Sequence, residues 1–466
     1  MRKHWKTISP KTYLEHLEEL NLGPNVVALM PHSMLRIDAM GFDNSISRDP
    51  NDSELKTMQA KLSDALKLGY AGFSTDALPF HYLANQPNCE KTIPTQFAKY
   101  GEIKKLTQVV RDHGAVWQAT PPKDSAINTI KTFLLTSGRL HKKPLRTTVV
   151  AALDVANNWR LLRLAKLLAK ILNSKFIQGD FHLQALGAPF KVWSDGAVTP
   201  LSEEIPELRR LNETNLEDRQ ARLTILNDPE YISAFRSMWL KGKQGWGLAK
   251  LKRRLNIEDY AFNRKLSDMT VERCPIDHWV GLNMQYVQDR ILDIKRGNIP
   301  SDISQQELSI ITANRNPDTI RELLMNPLLM PGFNDCGAHL TNMAFYDVNL
   351  RSLKLASSGG DKDISYIVKR LTKDAADLFG VKAGTINEGD VADLILIDPK
   401  QLANYDGEAN VIRQHRNEYN HEQLVNRSDG VVPLVMIGGN IAWENDAFST
   451  ELETKPMGRL LRASAA

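Results

Sequence analysis

Asn334-Asp335-Cys336-Gly337-Ala338-His339, followed about fifty residues on by Gly384-Thr385-Ile386-Asn387-Glu388-Gly389-Asp390-Val391-Ala392-Asp393-Leu394-Ile395-Leu396-Ile397-Asp398, decides the reading of this chain. The first segment follows the apolar run ending Met330-Pro331-Gly332-Phe333, so it reads as the turn that receives a buried strand. A helical pattern from Ile364 to Phe379 separates the two segments. The second reads as a turn, a glycine and a buried strand closed by an acid, and it marks a change of architecture.

Upstream of this passage, short apolar runs alternate with longer amphipathic stretches, the pattern of a parallel sheet with crossover helices. Candidate strands are Asn25 to Met30, Ala71 to Ser74, Ala115 to Ala119, Thr147 to Leu153 and Lys175 to Gln178. Helical spacing of apolar residues predicts helices over Ser53 to Leu68, Glu102 to His113 and Asn158 to Leu172. From Pro189 to about Ser301 the alternation fades into charged helical stretches, which predicts an insertion, and regular alternation resumes near Ile310. Downstream, Ala392 to Ile397, Val431 to Ile437 and Ile441 to Trp443 predict antiparallel strands, the last two joined at Gly438-Gly439-Asn440. The polar stretch Asn404 to Asn426 predicts a long loop.

Composition bounds the function. Of 466 residues, 42% are hydrophobic and 24% charged, ordinary globular usage that excludes a disordered or fibrous chain. Lys and Arg total 59 against 55 Asp and Glu, a balance that predicts neither a nucleic-acid nor a membrane partner. The basic stretch Lys241 to Arg254, with Trp246 inside it, reads as a solvated helical face. Three cysteines, Cys89, Cys274 and Cys336, have no Cys-x-x-Cys spacing, which excludes a disulfide scaffold or a Cys-built zinc site. Neither a signal-peptide pattern nor an apolar run of the ~20 residues a span requires is evident, so a cytoplasmic location is expected. Phosphate-loop, nucleophile-elbow and dinucleotide-turn motifs are absent.

The residues able to carry chemistry lie where strands hand over to loops. Asp335 occupies such a position, where a carboxylate binds a metal or takes a proton from water, and where it equally well caps a helix. His339 could bond a substrate carbonyl or pack as a neutral histidine. His32 and Arg36, in Met30-Pro31-His32-Ser33-Met34-Leu35-Arg36, follow another candidate strand; Asp76 and His81 follow Gly72-Phe73-Ser74-Thr75, and His182 follows the run ending at Gln178.

Several segments, in order, resemble the D-aminoacylase branch of the amidohydrolase superfamily, the N-acyl-D-amino-acid deacylases. They are Asn25-Val26-Val27-Ala28-Leu29 with His32 to Arg36; Leu68 to Thr75; Ile93-Pro94-Thr95 with Glu102; and Leu226-Asn227-Asp228-Pro229-Glu230. Asn334 to His339, Leu371 to Asp398 and Pro456-Met457-Gly458-Arg459-Leu460-Leu461-Arg462 complete the set. The resemblance implies a (β/α)8 TIM-like barrel, incomplete at the N-terminus, over residues 1–380 with a helical insertion at about 189–301, and a small β-sandwich lobe over 381–466. It implies a hydrolase of non-peptide amide C–N bonds acting on N-acyl-D-amino acids or related small amides. Asp335 would be catalytic base and metal ligand, with His339, His32, Arg36 and His182 binding substrate. The implied cofactor is zinc, and the implied assembly is a homo-oligomer or a partner chain that supplies the N-terminal region.

One departure from the pattern bears on mechanism. The eleven histidines include no His-x-His, the first metal motif of these enzymes, and the middle strands offer Gln118, Asp154, Gln178 and His182 in place of ligand histidines. Two alternatives therefore stand beside the metallohydrolase: an inactive, truncated homologue serving as a subunit or binding protein, and a metal-independent lyase or isomerase using Asp335 and His339 as an acid–base pair.

Overall fold

Apolar residues at alternate positions of short segments, each followed by a helix with one apolar face, assemble into a single parallel sheet covered by helices. The computed structural model describes residues 9–194 and 308–464, short gaps at 79–80, 84–86, 89, 121–125, 156–158, 338, 341, 418–419 and 453 aside, and scattered positions between 210 and 234. The predicted Lys241 to Arg254 helix and most of the insertion lie outside the described residues.

The sheet begins with β1 (Leu29–Pro31), β2 (Gly72–Thr75), β3 (Val116–Ala119), β4 (Arg146–Ala152) and β5 (Asp180–Ala185). After β5 the chain forms an antiparallel pair, β6 (Phe190–Ser194) with β7 (Leu308–Ala313), and then returns to the sheet as β8 (Leu329–Pro331). The order is β1-β2-β3-β4-β5-β8, and every pairing is parallel. Sequential parallel strands joined through helices are the β/α units that the sequence predicts.

The helix Asp52–Lys67 shows why these segments fold locally. Asn51 and Glu54 form a reciprocal capping box at its start, and Leu55, Met58, Leu62, Ala65 and Leu66 fall on its buried face. That face belongs to the same main hydrophobic core as Phe73, Trp117, Val149, Phe181, Leu183 and Leu329 from five strands. Because side chains alternate along a strand, Ser74, Gln118, Thr148, His182 and Gln184 point to the opposite face of the sheet. There the Gln184 amide donates to the Thr148 hydroxyl at 2.8 Å.

Three sequence expectations are corrected. Lys175 to Gln178 is a turn, with Phe176 86% exposed and Gln178 at positive φ, and the strand starts at Asp180. The run was apolar enough for a strand, but Phe176 stands in water and only Ile177 packs against the core. The helix expected through Phe379 is two, Asp361–Leu371 and Lys373–Phe379, broken at Thr372. Asn404 to Asn426 contains a hairpin, β10 (Val411–Arg416) with β11 (His421–Asn426), whose polar alternation hid it; it lies after β9 (Leu394–Leu396). Finally β12 (Leu434–Ile437), β13 (Asn440–Glu444) and β14 (Ala447–Phe448) join β9 in an antiparallel sheet of order β14-β13-β12-β9.

The last residues tie the chain's two ends together. Val26 N–H donates to Arg459 O at 3.0 Å, Leu461 N–H to Val26 O at 2.8 Å, and Ala463 N–H to Gly69 O at 2.9 Å. Gly458 makes this approach possible, since a Cβ there would stand 2.1 Å from Pro24 O. A second seam joins the helix after β8 to the hairpin region. Asp347 accepts from Arg351 at 2.7 Å and from the Tyr405 hydroxyl at 2.6 Å, while Glu408 bridges Arg351 and Lys191.

Candidate active site

In parallel α/β sheets the loops at the C-terminal ends of the strands are the functional face. The loop after β8 carries Asp335 there, in backbone geometry that few residues tolerate: Phe333 and Asp335 both have positive φ, 61° and 55°. Each such non-glycine residue costs about 1–2 kcal/mol, and strain of this kind gathers where a side chain must be aimed. Cys336 anchors the loop from below. It is fully buried, Phe345 N–H donates to its Sγ at 2.8 Å, and burial pushes its thiol up to about 12, so it is inert as a nucleophile.

Oδ2 of Asp335 lies 3.6 Å from Nε2 of His339. The neighbouring His339 imidazole holds the Asp335 carboxyl below the usual range against the opposing effect of burial, and the His81 charge adds to the lowering. His81 belongs to the loop after β2. Its charge acts on Asp335 although β3, β4 and β5 lie between the two strands in the sheet order. His81 is held in turn by Asp76 through Nδ1, and the Thr120 hydroxyl after β3 bonds Asp76 at 2.9 Å. The candidate site therefore comprises two carboxylate–imidazole pairs on partly open loops, Asp335–His339 and Asp76–His81. Neither Asp76 nor His81 stands out as a motif in sequence; their common signal is placement just after a strand.

The expectation that His32 and Arg36 touch substrate is overturned by their burial. They are 1% and 0% exposed. His32 Nδ1 meets the Thr95 hydroxyl at 2.8 Å and Nε2 meets Glu102 at 2.8 Å, while Arg36 bonds the other Glu102 oxygen at 2.5 Å and the Ser45 and Arg48 carbonyls. Burial outweighs the attraction of Glu102 and lowers the His32 pKa, so this imidazole is neutral. Burial would raise Glu102, but bonds from His32 and Arg36 bring it below its ordinary value. The trio clamps the helix His32–Met40 to the helix Tyr100–Asp112 and offers no atom to a ligand.

His182 is not brought to Asp335 either. Its β5 neighbour Leu183 pairs with Leu329, so His182 lies level with residue 328, roughly 10 Å of strand below the end of β8. Its Nε2 contacts Asp180 at 2.6 Å, Arg146 approaches that carboxylate at 3.7 Å, and its Nδ1 is buried without a hydrogen-bond partner.

A hydrolytic zinc takes about three protein ligands. Among the described residues no three His, Cys, Asp or Glu side chains converge on one point. Asp335 alone, or with one imidazole, does not hold such an ion, so the described donor set does not fit the zinc that the resemblance implies.

No known protein-family profile matches the sequence. The chain is 29% identical, over 98% of its own length and 75% of theirs, to uncharacterized proteins of Mycobacterium tuberculosis and Mycobacterium bovis. Among solved structures it is similar to a D-aminoacylase studied for its binuclear metal centre, with a TM-score of 0.50 and 17% identity. It is likewise similar to the N-acyl-D-glutamate deacylase of Bordetella bronchiseptica bound to zinc and a phosphonate inhibitor, with a TM-score of 0.51 and 17% identity. These superpositions cover 97% and 98% of this chain and 75% of each neighbour. The fold is that of the amidohydrolase α/β barrels. At such identities the likeness is one of fold, and the chemistry must be argued from the residues.

Proposed function

We propose that the chain is a hydrolase of non-peptide amide C–N bonds, with N-acyl-D-amino acids as its substrate class. The observation that carries the reading is the Asp335–His339 pair on the C-terminal rim of the sheet, with the His81 charge acting on the same carboxylate. The fold shared with D-aminoacylase and N-acyl-D-glutamate deacylase supports the substrate class.

In the proposed step Asp335 takes a proton from water while the water oxygen bonds to the amide carbon. The C–N bond breaks as the His339 imidazolium gives its proton to the leaving nitrogen, releasing a carboxylic acid and an amine. The proton on Asp335 then returns to His339 across the 3.6 Å between them, restoring both groups. Asp76 orients His81, whose positive form would stabilise the oxyanion on the tetrahedral carbon.

The second reading, an inactive homologue acting as a subunit or binding protein, is favoured by the shortfall of metal donors among the described residues. Elemental analysis alongside an amide-hydrolysis assay separates them. Turnover of N-acyl-D-amino acids that persists in chelator supports the proposed step. Turnover lost in chelator, with about one metal per chain that Asp335→Ala releases, replaces it with a metal mechanism using further ligands. Absence of turnover with and without added zinc leaves the inactive homologue.

A further inference from the structure

Between residues 125 and 179 the sequence carries ten Lys and Arg against one acidic residue, Asp154, while the whole chain is nearly balanced at 59 to 55. The rest of the chain is therefore net acidic, and this stretch is locally basic. It carries two helices on the outside of the sheet, Ala126–Phe133 before β4 and Trp159–Leu172 before β5, with the turns that follow them.

Covering helices ordinarily bury one face and show water a polar one. Here the outward side is apolar as well. Leu164, Leu167 and Ile171 form an exposed stripe along the second helix; Phe176 just beyond its end is 86% exposed, and Ile127 on the neighbouring helix is 78% exposed. Arg139 N–H donates to Ile177 O at 3.2 Å and Gly138 N–H to Gln178 O at 2.9 Å, which sets the turn bearing exposed Leu140 beside the turn bearing Phe176. Arg139, Lys142, Lys143, Lys170 and Lys175 stand exposed around these side chains.

We infer that this face docks on an anionic phospholipid bilayer, with the cations at the headgroups and Leu167, Ile171 and Phe176 below them. An anionic membrane offers negative charge and an apolar layer beneath it, the order that aliphatic side chains rimmed by Lys and Arg complement. A second copy of the chain does not fit, because a self-contact would press two cationic faces together. The contact is peripheral: among the described residues no helix is long and apolar enough to cross a membrane. Whole-chain charge, from which no membrane partner is expected, averages this face away. The inference is independent of the hydrolase reading.

The test is flotation of the full chain with vesicles of phosphatidylcholine alone and of equal parts phosphatidylcholine and phosphatidylglycerol, at low and raised salt. The chain floats with the anionic vesicles only, and salt weakens the binding. Lys142→Glu/Lys143→Glu and Ile171→Asn/Phe176→Ser each lower the partition at least about tenfold, with unchanged circular dichroism because all four positions are exposed. No flotation with anionic vesicles overturns the inference, as does binding indifferent to Ile171→Asn/Phe176→Ser, which would be charge attraction alone. Self-association dissolved by Ile171→Asn/Phe176→Ser, without vesicle binding, overturns it in favour of a contact between copies.

Discussion

Nε2 of His339 stands 3.6 Å from Oδ2 of Asp335, on a loop where Asp335 itself is in the left-handed region. This contact lowers the pKa of the carboxylate and, in the proposed step, is its route for returning a proton. The base must be ionised to act, and its pKa lies below the ordinary 3.8, so hydrolysis retains its base as pH falls to that value. His339→Ala removes the largest cause of the lowering. The acid limb of the kcat/KM profile then moves up, towards the ordinary carboxylate range. A limb that stays in place in His339→Ala contradicts the assignment of Asp335 as base.

Glu102 is the counter-ion of a guanidinium with no access to water. Removing one partner of a buried pair leaves an uncompensated charge, so Glu102→Ala costs about 3–5 kcal/mol in denaturant unfolding. Arg36→Met in the same background recovers part of that loss, since no buried charge is then orphaned. A loss below about 1 kcal/mol, the range of surface pairs, would show that the site is hydrated in solution.

The neutral His32 makes stability sensitive to mild acid. Its folded pKa is below the unfolded 6.5, so below that pH the unfolded chain binds a proton that the folded chain does not. The melting temperature therefore falls as pH drops from 6.5, and Glu102, also lowered, adds a further loss below its ordinary 4.5. In His32→Gln the first part of the decline is absent. A decline that is identical in His32→Gln assigns it to other groups.

Gly458 tests the tie between the chain's ends. Alanine there meets the backbone of Pro24 and Gly23, with 2.1 Å and 2.7 Å to their carbonyl oxygens, so the tail must shift. The expected cost is roughly 1–3 kcal/mol in the unfolding midpoint. Hydrogen exchange at the Leu461 and Ala463 amides, which bond Val26 and Gly69, rises at the same time.

Much of the fold was legible because parallel strands bury one regular pattern. Gly72–Thr75 and Val116–Ala119 lie within a residue of their expected positions, and the capping box at Asn51 and Glu54 starts its helix where apolar spacing begins. β5 was misplaced because Phe176 and Ile177 look like a buried strand, and only tertiary packing leaves Phe176 in water. The placement of Asp335 and His339 together on the loop after β8 was legible from their turn. His32 and Arg36 were misassigned because a histidine after a strand looks the same whether it faces a cleft or a buried glutamate. The Asp76–His81 pair depends on the course of the loop after β2, which no local pattern encodes.

The most direct test of the account is the rate of amine release from a panel of N-acyl-D-amino acids and their L-enantiomers, for the native chain and for Asp335→Asn. The account predicts turnover of D-substrates by the native chain and a fall of at least about a hundredfold in the variant, the contribution of a positioned general base. No turnover above buffer by the native chain, or equal turnover by Asp335→Asn, would contradict it.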